Sequence, residues 1–382
     1  MRKKRILSLF TAAVVALCLA GCQSNAVDTG QAEQTNGESL QSTTISEQTE
    51  QINNANEISK TSVSQAESKI IESKAENAEI ETVVIHNKEY PIDTESLEIN
   101  GHWQQSDYSE ITKLKNLKHL RIYAYDKYVN IDIDFLKEMH IESLEISNIK
   151  FYDDEECNIE RLSELPYLKV LKVTGDMYNI GAPNFSGIDK LENLQELYIY
   201  NWDDMHNAVN IDPEGIKRSK IEKLGLCALK FSDNEYWGLD NLKYMTNLTD
   251  LLVEQYWKLE NWDFLNEMTN LNTLSLDICR ISDISFINYM TSLENVTMSN
   301  TNIKDFYVLN ANNTVKYFYF GECLALTSEK DHYDFRGLSK LSGVKYLRLY
   351  DSYFKDHMDE FEEQYEFLTQ ALPDCEINWE VF

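Results

Sequence analysis

The chain has little of several residue types that would fix a fold by composition alone. Five prolines and 13 glycines in 382 residues exclude a collagen-like or proline-rich chain. Seven cysteines are too few for a fold held together by disulfides. Lysine and arginine number 35 against 64 aspartates and glutamates, which gives a formal charge of −29. Because a field of this sign repels phosphates, we expect no nucleic-acid partner.

Motifs of catalysis and cofactor binding are also missing. The sequence contains no His-Glu-x-x-His, no Gly-x-Ser-x-Gly, no glycine-rich phosphate loop and no Cys-x-x-Cys. Asp132-Ile133-Asp134 lacks the glycine and the distal glutamate of a calcium loop. The acidic runs at 153–156 and 203–204 could take up a divalent ion incidentally, but a solvated loop is the simpler interpretation. We therefore predict a protein that is not an enzyme and has no cofactor or metal site.

The first 22 residues have the pattern of an export signal. Four cations at positions 2–5 precede an apolar run of 15 residues, from Ile6 to Ala20. A membrane-spanning helix needs about 20 such residues. Leu19-Ala20-Gly21-Cys22 resembles the lipobox of bacterial lipoproteins, in which the cysteine receives diacylglycerol before cleavage. The resemblance implies that residues 1–21 are removed and that Cys22 anchors the protein in the outer leaflet of the cell membrane, facing outside the cytoplasm. The alternative is an ordinary secretory signal that happens to contain a cysteine.

The segment after Cys22 has the composition of a flexible tether. Residues 23–80 contain no aromatic residue and no proline, and 37 of the 58 are Glu, Ser, Thr, Gln or Asn. Such a segment cannot bury enough apolar surface to offset the chain entropy of folding. We predict a disordered tether over residues 22–80 and a folded domain over residues 81–382.

A repeat of about 25 residues runs through the folded domain. The pattern apolar-x-x-Leu-x-x-Leu-x-Leu recurs, and the first apolar residues of its short strands are at positions 97, 120, 144, 171, 197, 224, 251, 274, 296, 318 and 347. In a strand, alternate residues point to opposite faces, so the two apolar residues of Leu-x-Leu point inward together. Stacked copies then build one continuous core and a parallel sheet.

This period and pattern resemble the leucine-rich repeat family over residues 82–382, and its bacterial internalin-like class over residues 260–310. The resemblance implies an α/β solenoid of about 11 repeats, a horseshoe with a parallel concave β-sheet and helical or 3-10 convex connections. We expect short turns in the repeats of 22–23 residues and longer helices in those of 26–29. The family's asparagine five residues after the strand marker is missing, since these positions hold residues such as Tyr256, Cys279 and Thr301. The geometry of that turn is left open.

Both ends of a solenoid need caps. Residues 82–96 predict a β-hairpin whose turn lies near His86-Asn87. Residues 353–382 predict a helix and a closing strand, with the apolar stripe of the helix formed by Met358, Phe361, Tyr365, Leu368 and Leu372. The run Asp359–Glu366 predicts a solvated acidic face of this helix.

Five cysteines remain beyond Cys22, and an odd number cannot all pair. Cys279 and Cys323 hold the same turn position two repeats apart. At about 4.8 Å per strand they are about 10 Å apart, beyond the ~7 Å limit between the Cα atoms of a disulfide. We predict buried free thiols.

The outward strand residues carry the functional prediction. Tyrosines concentrate in two places on the concave face, separated by a stretch rich in hydroxyl and acidic residues. The candidate ligand-binding residues are Tyr198, Tyr200, Tyr317, Tyr319, Tyr346, Arg348 and Tyr350. Tyrosine and arginine are enriched at binding hot spots, although aromatic rings on a sheet also stabilise neighbouring strands. Two hypotheses stay open: a module that binds a protein or peptide ligand, favoured to be basic by the acidic surface, and a module that binds a surface glycan or cell-wall carbohydrate.

The lipobox makes Cys22 testable on its own. Replacing Cys22 with Ala removes the sulfur that would carry the lipid, so we expect the protein to appear in the medium or to stay uncleaved at the membrane. Cell fractionation and the apparent mass on gels measure both effects. Unchanged anchoring and processing would show that the lipoprotein interpretation is wrong.

Overall fold

The computed structural model describes residues 81–100, 105–124, 129–132, 134–147, 149–151, 159–175, 187–201, 213–227, 239–256, 259–323, 334–350 and 358–380. The predicted signal, Cys22, the tether, Cys157 and the two acidic runs lie outside these residues. Within them, no helix combines the length and the apolar character that crossing a membrane requires.

The described residues form sixteen strands. In chain order they are β1 (Thr82–Ile85), β2 (Lys88–Pro91), β3 (Ser96–Asn100), β4 (His119–Tyr123), β5 (Val129–Ile131), β6 (Ser143–Ser147), β7 (Ile149–Phe151), β8 (Val170–Gly175), β9 (Glu196–Asn201), β10 (Lys223–Cys227), β11 (Asp250–Glu254), β12 (Thr273–Asp277), β13 (Asn295–Thr301), β14 (Tyr317–Cys323), β15 (Tyr346–Tyr350) and β16 (Glu376–Glu380). Twelve of them form one parallel sheet in which neighbours in space follow one another along the chain, from β3 and β4 through β6 to β8–β16. β1 pairs antiparallel with β2, and β5 pairs parallel with β7.

The register of this sheet confirms the repeat. Each predicted strand marker pairs with the next one, from Leu97 opposite Leu120 to Phe318 opposite Leu347, and Ile377 of β16 extends the row. Because equal positions are paired throughout, the inward residues of every strand stack on those of its neighbours. Leu197 and Leu274, for example, are fully buried in one continuous core. The structure is a leucine-rich repeat solenoid.

Among the described residues, the helices and turns on the convex side are short. They are the α-helices α1 (Gln105–Ile111) and α2 (Pro213–Arg218) and the 3-10 turns Asp134–Leu136, Ile159–Glu164, Ile188–Lys190, Leu239–Tyr244, Asp263–Glu267, Ser285–Tyr289 and Phe335–Lys340. The expected link between repeat length and helix length is not seen in the described residues, because the seven-residue α1 lies in a 23-residue repeat. The physical reason is width: strands stack at about 4.8 Å, whereas an α-helix is about 10–12 Å across. The tighter 3-10 turn suits that spacing better.

A repeated side-chain cap starts four of these 3-10 turns and also the turn that follows Asp305. An aspartate or asparagine 12 or 13 residues before the strand marker accepts a hydrogen bond from the backbone N–H two residues later, at 2.7–3.1 Å. The capping residues are Asp132, Asn261, Asp283, Asp305 and Asp334. Asp132 and the backbone N–H of Asp134 therefore form a turn cap.

Asparagines also connect neighbouring repeats, but before the strand. Asn193, Asn247 and Asn270 each lie four residues ahead of a strand marker. Their side-chain amides donate to a backbone carbonyl of the preceding repeat, at 2.6, 3.3 and 2.9 Å respectively. The sequence signal was the recurring Asn-Leu pair, which the prediction did not use.

The turn after the strand uses left-handed backbone in three successive repeats. Gln255, Ile278 and Asn300 have φ of 64°, 50° and 50°, a conformation that is costly for a β-branched residue such as isoleucine. The next residue then points into the core. At Cys279 the buried thiol donates to the carbonyls of Val253 (3.4 Å) and Asp277 (3.2 Å). Cys279 is a free thiol, as predicted, and its side chain joins two repeats where the family has asparagine.

The first end of the sheet carries the predicted hairpin. β1 and β2 are joined by His86 and Asn87, both with positive φ, as a two-residue hairpin turn requires. Val83 and Ile85 are buried in the core.

The other end carries the helix α3 (Met358–Ala371) and β16. Phe361, Leu368 and Leu372 are buried, as the stripe predicted, but Tyr365 is 39% exposed. Gln364 is buried instead, because its carbonyl oxygen accepts a hydrogen bond (2.8 Å) from the buried backbone N–H of Phe335. A polar residue thus takes the place that periodicity assigned to Tyr365.

Gln364→Leu tests this contact. It leaves the N–H of Phe335 without that acceptor in a buried place, so we expect a loss of about 1–3 kcal/mol in the free energy of unfolding. Urea denaturation measures the loss, with Glu362→Leu on the exposed face of the same helix as the control. Equal stability of the two variants would contradict the assignment.

Candidate concave binding face

The concave face consists of the first, third and fifth residues of each sheet strand. These side chains point away from the repeat core, and the parallel register places them in three rows. All seven tyrosine and arginine candidates belong to these rows, on β9, β14 and β15.

The C-terminal tyrosine cluster consists of Tyr317, Tyr319, Tyr346, Arg348 and Tyr350. In the register of β14 with β15, Tyr317 lies opposite Tyr346, Tyr319 opposite Arg348, and Gly321 opposite Tyr350. The guanidinium carbon of Arg348 is 5.6 Å from the ring centroid of Tyr319, a cation–π distance. Tyr346 is the most open member, at 55% exposed. The structure therefore brings all five predicted residues together.

The ring of Tyr319 is packed against its own strand. A Cβ atom at Gly321 would lie 2.5 Å from the Tyr319 hydroxyl oxygen, so the ring covers a position that only glycine leaves open. Burial raises the pKa of Tyr319 to about 12, even though the charge of Arg348 lowers it. Burial raises the pKa of Tyr317 in the same way. These two side chains are half-buried, so part of each ring packs on the sheet and part stays exposed.

The central tyrosine pair, Tyr198 and Tyr200, lies on β9. The two rings are almost parallel, with an interplanar angle of 7° and centroids 6.3 Å apart. A Cβ atom at Gly225 of the next strand would lie 2.5 Å from Cδ1 of Tyr198 and 3.3 Å from the hydroxyl oxygen of Tyr200. The pair leans across β10 toward the middle of the face.

An acidic centre lies between the two groups of tyrosines. Cys227, Glu254 and Asp277 occupy the same row on β10, β11 and β12, and Ser275 precedes Asp277 on the same face. Glu254 is only 3% exposed and Ser275 only 7%, although both side chains point away from the repeat core. The sequence placed Glu254 and Ser275 on this face but did not show that they are buried.

The charges of the acidic centre are not balanced. Among the described residues, no lysine or arginine forms an ion pair with Glu254 or Asp277. Burial raises the pKa of Glu254, and the charge of Asp277 acts in the same direction, while a hydrogen bond with the Cys227 thiol acts against it. Asp277 is held by Asn300, whose amide donates to Oδ1 at 2.8 Å, and by the Ser299 hydroxyl.

The N-terminal part of the face is different because its charges are paired. Arg121 of β4 contacts Glu98 of β3 and Glu145 of β6, each at 2.9 Å. The guanidinium carbon also lies 5.6 Å from the centroid of the Tyr123 ring. This end of the sheet therefore offers a satisfied network, and the acidic centre does not.

The described residues also bear on metal binding and on thiol reactivity. In this part of the chain, no three histidine, cysteine, aspartate or glutamate side chains lie close enough together to hold a metal ion. Burial raises the pKa of the Cys227 and Cys279 thiols, which keeps both protonated.

No protein-family model and no curated protein matches the chain. Among solved structures, an internalin (InlF) of Listeria monocytogenes is similar, with 18% identity and a TM-score of 0.44 over 77% of this chain and 85% of that chain. A leucine-rich repeat protein of Leptospira interrogans has 15% identity and a TM-score of 0.33 over 75% and 90% of the two chains. The Arabidopsis receptor kinase HAESA, solved with the peptide hormone IDA and the co-receptor SERK1, has 18% identity and a TM-score of 0.39 over 63% of this chain and 39% of its own. At these identities, the ligand of none of them carries over to this chain.

The burial of Glu254 predicts a pH effect on stability. Its pKa is raised above the ordinary value of 4.5 in the folded state, so its contribution to stability is present below about pH 4.5 and is lost as the pH rises through the folded-state pKa. Glu254→Gln removes the ionising group, and we expect a higher melting temperature at pH 7 and little difference from the parent at pH 4.

Thermal melts from pH 4 to pH 8 measure the difference between parent and variant. Glu222→Gln, an exposed residue just before β10, is the control. A Glu254→Gln variant whose melting temperature follows the parent at every pH would show that Glu254 is not destabilised by burial.

Proposed function

We propose that this chain is a binding module for a protein or peptide ligand, which it holds on its concave face, and that Cys22 anchors it to the outer leaflet of the membrane. The proposed ligand binding rests on one observation. Two groups of tyrosines flank an acidic centre without a cationic partner among the described residues, on one continuous sheet.

The tyrosines suit recognition because their positions are set by the fold. Each group has a glycine beneath or beside a ring, Gly225 for the central pair and Gly321 for the C-terminal cluster. A ring that is already packed loses little freedom when a ligand arrives, so more of the contact energy contributes to affinity. A tyrosine also combines a large apolar contact area with a polar tip.

The dimensions of the face suit an extended segment. Six strand spacings separate β9 from β15, which is roughly 29 Å at about 4.8 Å per spacing. About nine residues of extended peptide cover that distance at about 3.3 Å each. The formal charge of −29 favours a basic ligand and speeds its approach at low ionic strength.

A glycan ligand is the second candidate, and the parallel rings of Tyr198 and Tyr200 favour it, since a sugar ring can stack on them. A neutral sugar, however, offers no positive charge to Glu254 and Asp277. The peptide hypothesis accounts for both the aromatic and the acidic residues.

The test compares the two ligand classes on the full mature chain in detergent. We expect selection from a displayed library of random nonapeptides to enrich basic and aromatic sequences, and cell-wall polysaccharide to bind weakly. For an enriched peptide, Tyr319→Ala or Tyr350→Ala should weaken binding about 5- to 30-fold, the effect of losing about 1–2 kcal/mol at a hot spot. Fluorescence anisotropy measures the affinities.

Tyr289→Ala is the matched control, because this tyrosine is 56% exposed but ends a convex 3-10 turn. A lower melting temperature with unchanged affinity in the Tyr319 and Tyr350 variants would assign the cluster a purely structural role. Binding of polysaccharide alone would support the glycan candidate.

A further inference from the structure

The acidic centre has more acceptors than donors. Glu254 is buried next to Asp277, and within the described part of the chain the Cys227 thiol is the one hydrogen-bond donor to its carboxylate. The Asp277 carboxylate accepts hydrogen bonds from Ser299 and Asn300, both at Oδ1, and its Oδ2 has no hydrogen-bond partner within the described residues. The centre thus holds two carboxylates with unused acceptor capacity.

Ser275 is a second and independent observation that points to a ligand. Its side chain is 7% exposed, and its hydroxyl oxygen is buried without a hydrogen-bond partner among the described residues. Buried polar groups in proteins are nearly always hydrogen-bonded, since an unpaired one costs free energy. Ser275 lies two residues before Asp277 on the same face, and opposite Leu252 of β11. Its side chain therefore lies on the same part of the face as the two carboxylates.

We propose that the acidic centre binds a primary ammonium group, the side chain of a lysine in the ligand. An ammonium group has three N–H donors and no acceptor. Glu254, Asp277 and Ser275 supply three acceptors on two adjacent strands. This inference rests on the proposed function, and it adds the chemical class of the ligand's anchoring residue.

The residues around the acidic centre suit the aliphatic part of a lysine side chain as well as its charged end. Leu252 lies on the same face between Gly225 and Ser275 in the register, and the four methylenes of a lysine can lie along such an apolar side chain. The tyrosines on either side would contact the residues that flank this lysine. The ligand enters from the concave side, because the opposite face of the sheet is the repeat core.

The electrostatic balance favours the bound state. A buried carboxylate without a cation is destabilised by desolvation, and the raised pKa of Glu254 reports that cost. An ammonium placed between Glu254 and Asp277 offsets the repulsion between them and gives the Ser275 hydroxyl a donor. The same contact is expensive to break when only one partner is removed, so this lysine would dominate ligand selectivity.

The test uses a small probe, Nα-acetyl-lysinamide, with the full mature chain in detergent, followed by ligand-observed NMR. We expect binding that falls at least tenfold in Glu254→Gln, in Asp277→Asn and in the analogue whose side-chain amine is acetylated. Ser275→Ala should weaken binding less. Asp250→Asn, on the same face and strand as Glu254 and hydrogen-bonded to Thr249, should bind like the parent.

Several outcomes overturn the inference. They are equal binding of the neutral analogue, equal or tighter binding of Nα-acetyl-argininamide, displacement of the probe by millimolar calcium, or full affinity in folded Glu254→Gln. Melting curves establish folding, and Ser275→Ala is the variant to rely on if Asp277→Asn does not fold.

Tyr319→Ala separates the two proposals: loss of peptide binding with normal binding of the lysine probe supports both. Peptide binding that is insensitive to Glu254→Gln removes the lysine inference alone.

Discussion

The structure depends on the burial of two apolar residues from every strand against the same two residues of its neighbours. No single repeat can bury these residues, so each one is stable only as part of the stack. The uniform register from Leu97 to Ile377 follows from this constraint, because a slip of one residue would turn every inward side chain outward. The spacing of about 4.8 Å then limits the convex side to narrow turns, and it places the outward residues in rows.

The sequence predicts the parts of the fold that are set directly by the burial of two apolar residues in each strand. The strand markers, the parallel sheet, the hairpin at residues 82–91 and the closing strand all follow from apolar spacing and turn residues. Gln364 and the asparagines before the strands were missed because their roles depend on a backbone group in another repeat, such as the N–H of Phe335. A pattern search along one chain segment does not see such partners.

On the concave face, too, some features were predicted from the sequence and others were missed. Alternation placed the tyrosines and Arg348 on one side, and the register of β14 with β15 confirms that the members of the C-terminal tyrosine cluster are neighbours. The burial of Glu254 and the packing of Tyr319 over Gly321 were not predicted, because both depend on the size of side chains on the same or adjacent strands. Charge balance is likewise a property of the assembled rows: Arg121 is paired twice, and Glu254 has no cation among the described residues.

The two glycines beneath the tyrosine rings have a consequence for how this surface can change over evolutionary time. At Gly225 and Gly321, any side chain would occupy space that a ring now fills, so a single substitution there would reorient a tyrosine without replacing it. Because the inward rows are untouched by such a change, the repeats would still stack. The shape of the concave face can therefore diverge between related chains while their tyrosines and their fold stay the same.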